Sequence, residues 1–123
     1  MSAAAKHLTP VVLELGGKSP VIVNSGIDLK VATRRIAYGN WAGSNGQACI
    51  APDYIVTTKA FTPKLVDALR STLEDFCGKD PMESKEISRV VNSNHFARLT
   101  KFLDEDKVSD KIVYGGQRDE KRL

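Results

Sequence analysis

The chain has 123 residues, the length of one ordinary domain or of part of a larger one. It is 41% hydrophobic and 27% charged, as α/β proteins are, and its net charge of +3 is too small to argue for nucleic acid. No basic stripe interleaved with aromatics is present, and no apolar run approaches the roughly 18 residues of a membrane-spanning helix.

The excess charge is confined to the first half. Residues 1–60 hold six Lys/Arg and three Asp/Glu, and the remainder holds twelve of each. The opening Met1-Ser2-Ala3-Ala4-Ala5-Lys6-His7 is rich in small residues but lacks the apolar core of a signal peptide. Two cysteines, Cys49 and Cys77, make no disulfide framework and point to a reducing compartment.

Val11 to Leu15 reads as a short strand, rich in β-branched residues and stopped by Gly16-Gly17. Val21-Ile22-Val23 reads as a second one, apolar on both faces like a buried parallel strand. Asp28 can cap a helix running to about Ala42, with Leu29, Ala32, Ile36 and Trp41 at helical spacing. Gly43-Ser44-Asn45-Gly46 ends it. Tyr54 to Thr58 is the next strand. Pro63 opens a helix with an apolar face of Leu65, Val66, Leu69, Leu73 and Phe76, and Gly78 closes it. Lys79 to Ser84 is a polar loop. Ser93-Asn94 can cap a third helix carrying Phe96, Leu99, Phe102 and Leu103, and Lys111 to Tyr114 reads as a last strand. This alternation predicts an α/β fold, part of a doubly wound, mostly parallel sheet with flanking helices. Four strands and three helices are few for strands so apolar, which suggests a piece of a longer protein.

Two residues stand out chemically. Cys49 lies in Gly46-Gln47-Ala48-Cys49-Ile50-Ala51-Pro52, between a turn and an apolar run. It is either a small buried apolar residue or a loop thiol presented to a pocket. Glu14 sits inside an apolar stretch. It is either an edge residue facing water or a general base whose proton affinity burial has raised. A thiol and a carboxylate are the nucleophile and base that a covalent aldehyde oxidation needs. Gly17-Lys18-Ser19 is no phosphate loop, because Val12 stands where that motif needs glycine. His7 and His95 have no metal-spaced partners, so no metal site is expected. Cys77 reads as helix packing, and Asp104-Glu105-Asp106 as a solvated helix end.

Leu13-Glu14-Leu15-Gly16-Gly17-Lys18-Ser19-Pro20 and Gly46-Gln47-Ala48-Cys49 together resemble the glutamate and cysteine signatures of the aldehyde dehydrogenase superfamily. Cys49 lies 35 positions after Glu14, about the separation in that family. Ala51 to Tyr54, Pro81 to Lys85 and Arg89 to Phe96 resemble its class 3 branch, the last two its plant-type members. The resemblance implies an oxidoreductase that turns aldehydes into carboxylic acids with NAD or NADP through a cysteine-bound thioester. It implies Cys49 as nucleophile, Glu14 as base, and Leu15 and Gly16 as cofactor contacts. It also implies that residues 1–15 end a cofactor-binding domain and residues 16–123 begin a catalytic domain, the rest lying outside this chain. The full-length parent is expected to be a homodimer acting on an aldehyde. Its compartment is expected to be the cytoplasm or an organelle such as the plastid or the endoplasmic reticulum surface. The alternative is a truncated, non-catalytic product acting as a binding or assembly segment.

Overall fold

The computed structural model describes residues 1–42 and 44–123; Gly43, first in the turn expected after the second-strand helix, lies outside the described residues. The elements in chain order are α1 (Ser2–Ala5), β1 (Ser19–Ile22), α2 (Leu29–Trp41), β2 (Pro52–Val56), α3 (Thr62–Cys77), a 3₁₀ turn (Pro81–Glu83), α4 (Ser93–Leu103) and α5 (Asp106–Ser109).

The unit β1–α2–β2 organises the molecule. β1 and β2 pair in parallel, with Ser19 opposite Pro52, Pro20 opposite Tyr54, Val21 opposite Ile55 and Ile22 opposite Val56. A register shift between Ser19 and Pro20 fits the missing N–H of proline. Pairing continues past the strands, where Val23 N–H donates to the Val56 carbonyl at 2.9 Å and the Thr57 hydroxyl donates to the Val23 carbonyl at 2.8 Å. Asp28 caps α2 by accepting from Val31 N–H at 3.1 Å, as its position predicts.

Both long helices cover one face of this ribbon. Val23, Ile36, Phe61 and Leu65 form the buried core, with Val21, Leu29, Ile55 and Leu69 packed against it. Val21 and Ile55 face these helices because alternate strand residues share a face. Ile22, Tyr54 and Val56 on the other face are exposed. Between α2 and α3, Thr33 and Thr72 are buried, with their hydroxyl oxygens 2.8 Å apart.

Several expectations are corrected. Val11 to Leu15 forms no strand and is exposed, Val12 at 96% and Leu15 at 87%. A strand needs a neighbour for its N–H and C=O groups, and none is paired with this segment among the described residues. Lys111 to Tyr114 is likewise not a strand. Instead Arg70 donates to the Val113 carbonyl at 3.1 Å and lies over the Tyr114 ring. The cap of α4 is Asn92, whose side-chain oxygen accepts from His95 N–H at 2.9 Å, so Ser93 is the first helical residue. The apolar face of α4 is only partly covered: Phe102 remains 54% exposed. The second strand starts two residues earlier than its β-branched run, since pairing with β2 rather than composition sets its limits.

Candidate functional site

The two singled-out segments meet because of the parallel pairing. Residues 13–18 run into the start of β1, and residues 44–51 run into the start of β2. Adjacent parallel strands begin at the same end of a sheet, so both segments arrive at one edge. It is the amino-terminal edge of the ribbon, not the carboxyl edge where ligands of open α/β sheets gather.

The Cys49 turn is tightly built. Gly46 N–H donates to the Asn40 carbonyl at 2.8 Å and Gln47 N–H to the Ser44 carbonyl at 3.0 Å. Ala51 N–H donates to the Ala48 carbonyl at 3.1 Å, which leaves Cys49 and Ile50 at the corner of a β-turn. Both corner residues are exposed. The buried alternative for Cys49 is therefore not found: its thiol stands on an exposed loop. Gly46 has φ of 76°, and a Cβ there would stand 2.9 Å from Asn40 Oδ1, so a side chain is disfavoured twice over. The Asn40 amide donates to the Pro52 carbonyl at 2.7 Å and ties the end of α2 to the start of β2.

Three contacts join the Glu14 segment to this turn. The Gly17 backbone lies so close to the Cys49 carbonyl that a Cβ would collide with its oxygen and come within 3.2 Å of its carbon. The Ser19 hydroxyl donates to that same carbonyl at 3.3 Å. Lys18 pairs with Asp53 at 2.5 Å, and the Asp53 hydrogen bond and charge raise the lysine pKa above its ordinary value. Lys18, Ser19 and Asp53 were not singled out as site residues by sequence reasoning. Their signal is the position of each beside the glycine pair or the cysteine turn.

Glu14 is exposed, not buried as the general-base reading assumes. Its Oε1 accepts from Gly16 N–H at 3.2 Å, a local turn that folds the carboxylate back on its own backbone. Nothing stands within 4 Å of where a Gly16 Cβ would be. Leu15 is 87% exposed, so the space beside the Leu15–Gly16 backbone is open. Among the described residues, no three His, Cys, Asp or Glu side chains are grouped to hold a metal ion. Cys77 is half-buried in α3, and burial pushes its thiol above the ordinary 9.0. A cavity of about 760 Å³ opens between α2 and α3 beside Thr33, Arg34, Thr72 and Asp75; neither Cys49 nor Glu14 lines it.

Residues 1–123 match the sequence profile of the aldehyde dehydrogenase family, and the chain belongs to that family. It is 67% identical over 123 residues to aldehyde dehydrogenase family 3 member H1 of Arabidopsis thaliana, covering 100% of this chain and 25% of that protein. It is 47% identical over 120 residues to the dimeric NADP-preferring aldehyde dehydrogenase of Mus musculus, covering 98% and 25%. Among solved structures it resembles the substrate-bound state of Staphylococcus aureus AldH, with a TM-score of 0.82 and 41% identity over 98% of this chain and 26% of that one. The chain spans about a quarter of the length of the curated relatives it matches.

Proposed function

We propose that this chain supplies the nucleophile and the base for oxidation of aldehydes to carboxylic acids with NAD or NADP, in an enzyme of the family's full length. The observation that carries this reading is the convergence of the Gly17 backbone and the Ser19 hydroxyl on the Cys49 carbonyl. It brings the segment bearing Glu14 against the turn bearing Cys49. Residues 1–15 would end the cofactor-binding domain and residues 16–123 would begin the catalytic one.

The Cys49 thiolate attacks the aldehyde carbon, and the carbonyl electron pair moves to oxygen. The Cys49 backbone N–H is offered to that oxyanion. NAD or NADP, when bound, would supply the acceptor for the hydride that leaves the aldehyde carbon, and the Leu15–Gly16 backbone would hold it. Glu14 then removes a proton from water, whose oxygen attacks the thioester carbon. The carbon–sulfur bond breaks, the carboxylic acid leaves and the thiolate returns. The exposure of Glu14 and the open space at Gly16 support this role, because the carboxylate is free to reach water and to turn toward the thioester. The mouse relative's name supports a homodimer. Two free cysteines suit a reducing compartment, cytoplasmic or within an organelle.

The test is made in a family-length enzyme carrying this segment. Cys49→Ala abolishes aldehyde oxidation. Glu14→Gln keeps a rapid burst of reduced cofactor and slows the steady state. Normal turnover by Cys49→Ala overturns the reading.

The exposed apolar residues Val12, Leu15, Ile22 and Ile50 favour a second reading, an assembly segment without catalysis. On that reading the 123-residue chain self-associates at micromolar concentration in sedimentation velocity and oxidises no aldehyde by itself.

A further inference from the structure

The structure assigns Gln47 the role of a positioning residue that pins the Cys49 turn to the remote segment 88–91. This deepens the reading of Cys49 as nucleophile and rests on it. Gln47 Nε2 donates to two carbonyls, that of Ser44 in its own turn at 3.0 Å and that of Arg89 at 3.0 Å. Its Oε1 accepts from Val91 N–H at 3.1 Å. One amide side chain thus engages the carbonyl of one residue and the N–H of the second after it, as a neighbouring strand would. Both of its donor hydrogens and one acceptor position are used. Asn45 adds a parallel tie, its Nδ2 donating to the Ser88 carbonyl at 3.2 Å.

The segment that receives these bonds is itself anchored. Arg89 Nη2 donates to the Met82 carbonyl in the 3₁₀ turn at 2.5 Å. Ile87 bridges Ala42 at the end of α2. Val90 N–H donates to the Leu123 carbonyl at 3.3 Å. The stretch from Pro81 to Val91, which no catalytic step uses, therefore forms a fixed outer strap. Gln47 transmits that fixity to a thiol two residues away, at the corner of the turn that follows it. A nucleophile must be held in a near-attack geometry, and a misplacement of about 1 Å can cost about a hundredfold in rate.

Gln47→Met keeps the length of the side chain and removes all three bonds. In the 123-residue chain, exchange of the Val91 amide is expected to accelerate at least about tenfold, with α2 amides unchanged. In a family-length enzyme carrying this segment, kcat is expected to fall at least about tenfold while KM stays within about threefold. A merely structural role would not produce that split. Gln47→Glu serves as second variant should the first not fold. It keeps the acceptor for Val91 N–H, loses both donors, and is expected to lower kcat less than methionine does. Unchanged Val91 exchange, or a kcat within about twofold of wild type, overturns the inference while an inactive Cys49→Ala leaves the functional reading standing. An active Cys49→Ala overturns both.

Discussion

The Gly17 backbone rests directly on the Cys49 carbonyl, and the Ser19 hydroxyl donates to the same oxygen at 3.3 Å. The contact follows from β1 and β2 starting side by side, so the chain entering one strand crosses the chain entering the other. Only a residue without a Cβ permits that approach. Gly17→Ala is therefore expected to push the Cys49 turn away and to destabilise the chain by about 1–3 kcal/mol, the usual cost of forcing extra atoms into a closed contact. Chemical denaturation measures the loss. An alanine variant as stable as wild type, with unchanged backbone shifts at Ala48–Ile50, would contradict the contact.

Lys18 and Asp53 tie the same two strand entries together on the solvent side. Lys18 is fully exposed to solvent at its charge, so the pair orients the segments more than it stabilises them. Its lysine pKa is raised by the Asp53 hydrogen bond and charge. A raised base contributes fully below its unfolded value of 10.5 and loses that contribution as pH rises through the higher folded value. The difference in melting temperature between wild type and Lys18→Met is expected to be small at about pH 9, to begin to fall as pH passes 10.5 and to vanish only above the higher folded value. It should also disappear in about 1 M salt. A difference that persists at high salt and alkaline pH would mean packing by the lysine stem, not charge.

How much of this was legible in the sequence depends on whether a feature is local. α2 and α3 could be read because Asp28, Pro63 and Gly78 mark their ends and leucines repeat at helical spacing. Val11 to Leu15 and Lys111 to Tyr114 carry strand-forming residues, yet a strand exists only when another strand receives its hydrogen bonds. The cysteine and glutamate segments were legible as motifs. Their contact was not, because it depends on the β1–β2 register. Gln47 was written inside the motif, but its partners Arg89 and Val91 lie more than forty positions away, beyond any local pattern.

The two thiols differ in setting and are expected to differ in reactivity. Cys49 stands exposed at a turn corner, while Cys77 is half-buried in α3 with its thiol pushed above 9.0 by burial. Only the thiolate reacts, so a raised pKa and poor access slow Cys77 together. Iodoacetamide at about pH 8 is expected to label Cys49 at least about tenfold faster, read by peptide mapping. Labelling of Cys77 first would show that α3 opens more readily than its packing implies.

Thr33 and Thr72 form a buried hydroxyl pair between α2 and α3, 1% and 7% exposed. Their two hydroxyl protons face three acceptors: Thr72 reaches Thr33 Oγ1 at 2.8 Å and the Ala68 carbonyl at 2.8 Å, and Thr33 reaches the Lys30 carbonyl at 3.3 Å. Removing one hydroxyl leaves its buried partner short of a bond, whereas removing both leaves two apolar surfaces in contact. Each of Thr33→Val and Thr72→Val is therefore expected to cost about 1–3 kcal/mol. The double variant should cost clearly less than their sum, a coupling of at least about 0.5 kcal/mol. Urea unfolding of the four proteins measures the cycle. Simple additivity would mean that each hydroxyl is satisfied by its own helix carbonyl and that the 2.8 Å contact between them contributes nothing to holding α2 on α3.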